Sequence, residues 1–264
     1  MTSTTSASKK ALRAFAVAAA WIGLWQILSM IVGLELLLPS PLSTVRRLFE
    51  LAGTVEFWGA VGKSCLNILT GWILGVLAGT VLALATNANG VIRAFFSPVM
   101  SVIKATPVAS FVMLAFVWIR GARLPTFCTF LMVLPVVWAN IHEGLSSADA
   151  GLLEMAKVFR LRRSTIWRTI RLPALLPHLF GALRVSLGFA WKAGVAAEVI
   201  AHAGSSIGSS LYDAKLYLNT AEVFAWTAVI ILLSVLLEHA CAALMDRAAK
   251  RLGAAVSDKE VPVE

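Results

Sequence analysis

The chain is short of charge, of acid and of paired cysteine. Only 14% of its 264 residues are Asp, Glu, Lys or Arg, whereas 59% are hydrophobic and the mean hydropathy is +0.82. Soluble domains hold roughly 45–50% apolar residues, and one soluble core could not cover several separate apolar runs of about 20 residues. A soluble globular domain is therefore excluded. The three cysteines, Cys65, Cys128 and Cys241, are odd in number and far apart, and they lack CxxC or Cys/His spacing. That excludes a disulfide framework and a cysteine zinc site, so they are read as packing residues. No paired carboxylates and no Ser/His/Asp spacing stand out, so a membrane-embedded enzyme lacks its usual chemistry. The surplus of Lys and Arg gives a formal charge of +9. Where these cations stand decides between nucleic acid and a membrane surface, and their placement favours the membrane.

At 1.5 Å per residue, about 20 helical residues cross a hydrocarbon core of about 30 Å. Runs of this kind lie near 14–34, 65–86, 94–119, 124–141, 179–201 and 223–245. The fold class expected is thus an all-α membrane protein with six transmembrane helices. Basic residues collect on the cytoplasmic side. Lys157, Arg160, Arg162, Arg163, Arg168 and Arg171 crowd one loop, whereas Arg46, Arg47, Lys63, Arg120, Arg123 and Lys215 are spread over the opposite segments. This bias, with an even number of spans, places both termini in the cytosol. The opening Lys9-Lys10-x-x-Arg13 resembles a signal peptide, but the apolar run is too long and lacks a small-residue cleavage site, so it reads as an uncleaved first span. The organisation expected is a cytosolic tail over 1–13, one transmembrane domain over 14–248 with a cytosolic loop at 149–173, and a cytosolic tail over 249–264. Within that tail, 253–264 reads as disordered.

Gly71, Gly75 and Gly79 put three glycines on one face of the second span. Such a ladder lets another backbone approach closely, either within the chain or from a second copy. Leu38-Pro39-Ser40-Pro41, followed by Ser43, Thr44, Arg46 and Arg47, predicts a proline turn and then a short amphipathic helix at the external interface. Gly62-Lys63-Ser64 imitates the end of a phosphate loop, but Phe57 occupies the place of its first glycine and no strand precedes it. His142-Glu143 and Glu238-His239 each lack a second histidine at zinc-protease spacing, so neither is a metal site.

The loop between the fourth and fifth spans carries most information. Leu152, Leu153, Ala156 and Phe159 share one helical face, as do Ile166, Trp167 and Ile170 after a break. This pattern predicts two short amphipathic helices. Asp149 is placed to cap the first, and Pro173 and Pro177 are expected to end the second. A basic loop lying on anionic lipid would not need this apolar helical hairpin.

Here the chain resembles the permease subunits of ABC importers, most closely the nitrate/sulfonate/taurine group. In their EAA loop, Glu, Ala and a later Gly, followed by Ile-x-Leu-Pro, form coupling helices that dock into a cleft of the ATPase. Glu154, Ala156, Ile170, Leu172 and Pro173 match, and Met155, Phe159 and Arg160 lie in the same stretch. Arg160 stands where the family has glycine, so either the turn is built differently or Arg160 makes a contact of its own. Weaker matches follow in order at Ile103-Lys104-x-x-Pro107, Leu134-Pro135, Asp149 to Ala156 and Gly204-Ser205-Ser206-Ile207-Gly208. The resemblance runs from Leu38 to about residue 245. It implies a type I importer permease in a bacterial inner membrane, working as a homodimer or pseudo-dimer with two cytosolic ATPases and an extracytoplasmic solute-binding protein. ATP and Mg would sit on the ATPases, with no cofactor and no metal on this chain, and nucleic acid is not a partner.

Ionisable residues in lipid are costly and mark pathways by default. Lys104, with Thr106 and Pro107 interrupting the third span, and Lys192 and Glu198 in the fifth are the pathway candidates. They are expected to face a cavity or one another. Lys104 also fits a structural ion pair or a lysine reaching the interface from a short span. A channel or secondary transporter would share these charges but would have no use for a docking hairpin.

Overall fold

A computed structural model describes residues 4–202 and 204–251, and the stretch 253–264 that the sequence assigns to disorder lies outside them. The described residues are helical throughout their regular structure. In chain order the helices are α1 (Thr4–Val32), α2 (Pro41–Ala52), α3 (Val55–Ala88), α4 (Gly90–Ala105), α5 (Val108–Phe116), α6 (Arg123–Ser146), α7 (Ala150–Val158), α8 (Arg163–Ile166), α9 (Leu172–Ala201), α10 (Ile207–Leu216) and α11 (Thr220–Arg251). A π turn, Trp167–Arg171, joins α8 to α9. Five helices are long and apolar enough to cross a membrane, and α4 with α5 makes a bent pair that gives up to six crossings. All six expected spans are therefore helical, although the helices outrun the apolar runs at several ends.

The centre of the bundle is α6, packed between α3 and α9. The glycine ladder explains the closeness of α3 to α6. A Cβ added at Gly75 would lie 2.7 Å from Val133 Cβ, one at Gly79 would lie 2.9 Å from the Leu134 carbonyl oxygen, and one at Gly71 would strike the Thr126 carbonyl. The seam is thus intramolecular, which the glycine spacing alone left open. Backbone contact of this kind gains dispersion energy where lipid offers no hydrophobic drive between helices. Three buried or half-buried indoles in the bundle find partners. Trp138 donates to Thr86 Oγ1 at 2.9 Å, Trp72 to Ser186 Oγ at 3.0 Å and Trp191 to the Ile230 carbonyl at 3.0 Å.

The third span departs from a straight rod. α4 and α5 meet at 105°, and the break falls at this point because Pro107 has no N–H to continue α4 and pushes the preceding residue out of the helical region. Thr106 accordingly sits at φ −78°, ψ 126°. α2 is the short helix expected after the proline turn. Ser40 caps it by accepting the Ser43 N–H at 3.1 Å, and Pro41 opens the first turn. Arg47 then reaches across to Glu222 of α11 at 2.8 Å. Over Phe15–Val32, α1 is almost wholly exposed; its Trp25 stacks on Phe224 of α11 at 5.6 Å.

Candidate functional site

The hairpin between α6 and α9 begins as expected. Asp149 Oδ1 accepts the Leu152 N–H at 2.9 Å and caps α7. Its C-terminus closes by two bonds: the Arg160 N–H donates to the Lys157 carbonyl at 3.1 Å and the Leu161 N–H to the Ala156 carbonyl at 3.0 Å. These are the two bonds of a Schellman motif, with Arg160 at the left-handed position. Arg160 has φ +50°. The turn is therefore built as a glycine would build it, and arginine occupies a conformation that its Cβ disfavours by about 1–2 kcal/mol. Its guanidinium makes no ion pair with another described residue and is exposed.

The second arm corrects the expectation that Pro173 and Pro177 end a separate helix. α8 continues through the π turn into α9 as one helical run from Arg163 to Ala201. The reason lies in the hydrogen-bond register. The Leu172 N–H donates to the Trp167 carbonyl, five residues back, so the widened turn falls just before the proline that has no N–H to give. Pro173 follows directly after that widened turn, at the second position of α9.

The matched residues divide by exposure. Glu154, Met155, Phe159, Arg160, Leu172 and Pro173 are exposed, while Ala156 (0%) and Ile170 (8%) are buried. Ala156 is a packing position of the hairpin, whereas its neighbours form the free rim. That rim is apolar: Val158 is 78% and Phe159 70% exposed, alongside half-exposed Leu152 and Met155.

The pathway candidates are not brought together. Lys104 stands exposed in the last turn of α4, beside the Thr106–Pro107 bend, and Thr106 Oγ1 donates to the Val102 carbonyl at 2.8 Å. Lys192 is exposed on α9 and lines a cavity of about 320 Å³ with Arg184, Gly188, Phe189 and Glu238. Arg184 is ion-paired to Asp246 of α11. Glu198 needs correcting as a cavity-facing group: it is 0% exposed. Its Oε2 accepts from Ser64 Oγ at 2.7 Å and from the Gly208 N–H at 3.1 Å. Sequence reasoning missed Ser64, which looked only like the end of a false phosphate loop, and it missed the pairing of Arg184 with Asp246. Nothing in local spacing signals contacts 134 and 62 residues apart.

Known proteins resemble the chain in sequence and in fold. The taurine transport system permease protein TauC of Escherichia coli (strain K12) is 26% identical over 229 residues, covering 84% of this chain and 83% of that protein. The putative aliphatic sulfonates transport permease protein SsuC of Bacillus subtilis (strain 168) is 25% identical, covering 77% and 74%. The nitrate import permease protein NrtB of Synechococcus elongatus is 24% identical, covering 74% and 73%. Among solved structures, an amino acid ABC transporter superposes with a TM-score of 0.58 at 17% identity, covering 74% of this chain and 94% of that one. The MetNI methionine ABC transporter in an inward-facing conformation gives 0.53 at 16%, covering 74% and 93%. These structural likenesses speak to the fold. The family described as "Binding-protein-dependent transport system inner membrane component" matches residues 73–253, more than half of the chain. With its multi-pass helical bundle and its apolar hairpin, the chain belongs to this family of inner-membrane permease subunits of ABC importers.

Proposed function

We propose that the chain forms half of the translocation pathway for a small anionic solute such as nitrate, a sulfonate or taurine, and that a second copy completes the pathway. Both termini and the 149–173 hairpin lie in the cytosol, two ATPases holding ATP and Mg grip the two hairpins, and an external solute-binding protein delivers the solute. Hydrolysis belongs to the partner. The observation that carries this reading is the free rim of the hairpin. Apolar side chains exposed together on a soluble loop mark a protein contact, and Glu154, Met155, Phe159 and Arg160 stand among them. The named relatives support the solute class. So do Lys104 and Lys192, two exposed cations in membrane helices without an ion pair among the described residues.

The test is reconstitution in nanodiscs with the cognate ATPase and binding protein. Glu154→Ala and Phe159→Ala are expected to lose the ATPase on affinity purification while the chain remains folded. Lys104→Ala is expected to keep the ATPase yet lose at least tenfold in uptake of the anion. Uptake without ATP, or full ATPase recovery by both hairpin variants, overturns the importer coupling. Unchanged uptake by Lys104→Ala removes that lysine from the pathway.

A further inference from the structure

The first N–H groups of a helix have no partner inside it, and in α10 they are met by one buried side chain each from α3 and α9 and by its own N-cap, Ser206. The Ile207 N–H donates to Ser64 Oγ of α3 at 2.9 Å, the Gly208 N–H to Glu198 Oε2 of α9 at 3.1 Å, and the Ser209 N–H to Ser206 Oγ at 3.2 Å. The Ser64 hydroxyl in turn donates a hydrogen bond to the same Glu198 oxygen at 2.7 Å. Ser64, Glu198 and Ser206 are all 0% exposed. The approach is close enough to require glycine. A Cβ at Gly208 would lie 2.7 Å from the Val199 nitrogen and would strike Glu198 Cβ.

We infer that Glu198 is a positioning residue that fastens the half-helix α10 to α3 and α9, so that α10 moves as one body with the helix whose far end carries the coupling hairpin. This deepens the importer reading and rests on it for the direction of signalling. α9 has 30 residues, a rod of about 45 Å, with the hairpin at its start and this junction at its end. The covalent link between α9 and α10 is a poor lever. It contains two left-handed residues, His202 at φ +46° and Gly204 at φ +72°, and the buried side-chain relay adds direct bonds to the packing of α10 on α9 and to the His202–Asp213 contact. One carboxylate oxygen accepts both donors, while Oε1 is buried without a hydrogen-bond partner. The junction therefore uses Glu198 as an acceptor, and its charge is dispensable. Glutamine keeps the accepting oxygen and places its amide where Oε1 stands; a proton carrier or cation ligand at 198 would not survive that change.

The experiment uses the full complex in nanodiscs with wild type, Glu198→Gln, Glu198→Ala and Ser64→Ala. Three readouts are taken: recovery of the ATPase with its basal rate, hydrogen exchange at the Ile207 and Gly208 amides, and stimulation of hydrolysis by the solute-loaded binding protein. Glu198→Gln is expected within twofold of wild type throughout. Glu198→Ala is expected to keep ATPase recovery and basal rate within twofold, to speed exchange at both amides at least tenfold, and to lose stimulation. Ser64→Ala, which removes only a hydroxyl and keeps the test decidable if Glu198→Ala fails to fold, should speed exchange at Ile207 at least threefold. A glutamine variant as impaired as alanine overturns the inference, because charge would then matter. So does unchanged exchange in the alanine variant, or fast exchange with full stimulation. If wild type recovers no ATPase, the importer reading has failed instead, and exchange in the isolated chain still tests the junction.

Discussion

Replacing Arg160 by glycine should tighten the hairpin. At φ +50° an L-residue bears about 1–2 kcal/mol of steric cost. Glycine removes that cost, but its greater freedom in the open state returns about 0.5–1 kcal/mol. The net gain is about 0–1.5 kcal/mol, and its middle value of about 0.75 kcal/mol is a factor of about 3–4 in the closing equilibrium. The assay is hydrogen exchange at residues 160 and 161, whose N–H groups close the turn onto Lys157 and Ala156. Arg160→Gly should slow exchange by about 3–4-fold. Arg160→Ala serves as the control, since it removes the guanidinium but keeps the Cβ, and it should leave exchange near wild type. Arg160→Pro should open the turn, because proline holds φ near −65° and removes the donor to Lys157. Equal exchange in the glycine and alanine variants would refute backbone strain as the property that matters at this position.

Gly75→Leu should drive a side chain into Val133, whose Cβ lies 2.7 Å from the added Cβ. We expect a loss of about 1–3 kcal/mol or more, read as a lowered thermal midpoint in detergent, whereas Gly62→Ala, with open space around its Cβ, should not move it. Arg47→Ala should free α2 from α11 by removing the 2.8 Å pair with Glu222, at a cost of about 1–2 kcal/mol, visible as faster proteolysis after residue 40. The Arg47 hydrogen bond also holds the exposed Glu50 carboxyl below its ordinary range. Its small contribution is complete above the ordinary carboxyl value and is lost as pH falls through the depressed one. In Arg47→Ala the Glu50 titration midpoint, followed by carbon-13 NMR, should rise toward the ordinary value.

The helices were legible because the length of an apolar run and the distribution of Lys and Arg are one-dimensional signals. The Asp149 cap and the turn after Pro39 were legible because their partners lie within a few residues. The angle at Thr106–Pro107 was not: proline announces a break, but packing of α4 and α5 sets its 105°. The run-on from α8 to α9 was missed because a π turn shifts hydrogen bonds by one residue without altering the apolar pattern. Lys192 and Glu198 looked alike as intramembrane charges. They separate only once α10 is laid on Glu198 and an open cavity is left beside Lys192.

The amino-acid order alone determined that this chain must live in lipid, where its long apolar helices run, and that one basic hairpin joins two of them, since each follows from local composition and short-range bonding. Only the tertiary structure decided that the glycine ladder serves α6, that Arg160 adopts the glycine conformation, and that Glu198 holds α10 in place. Those outcomes depend on which distant segments come within contact range. That choice is settled by the packing of the whole bundle.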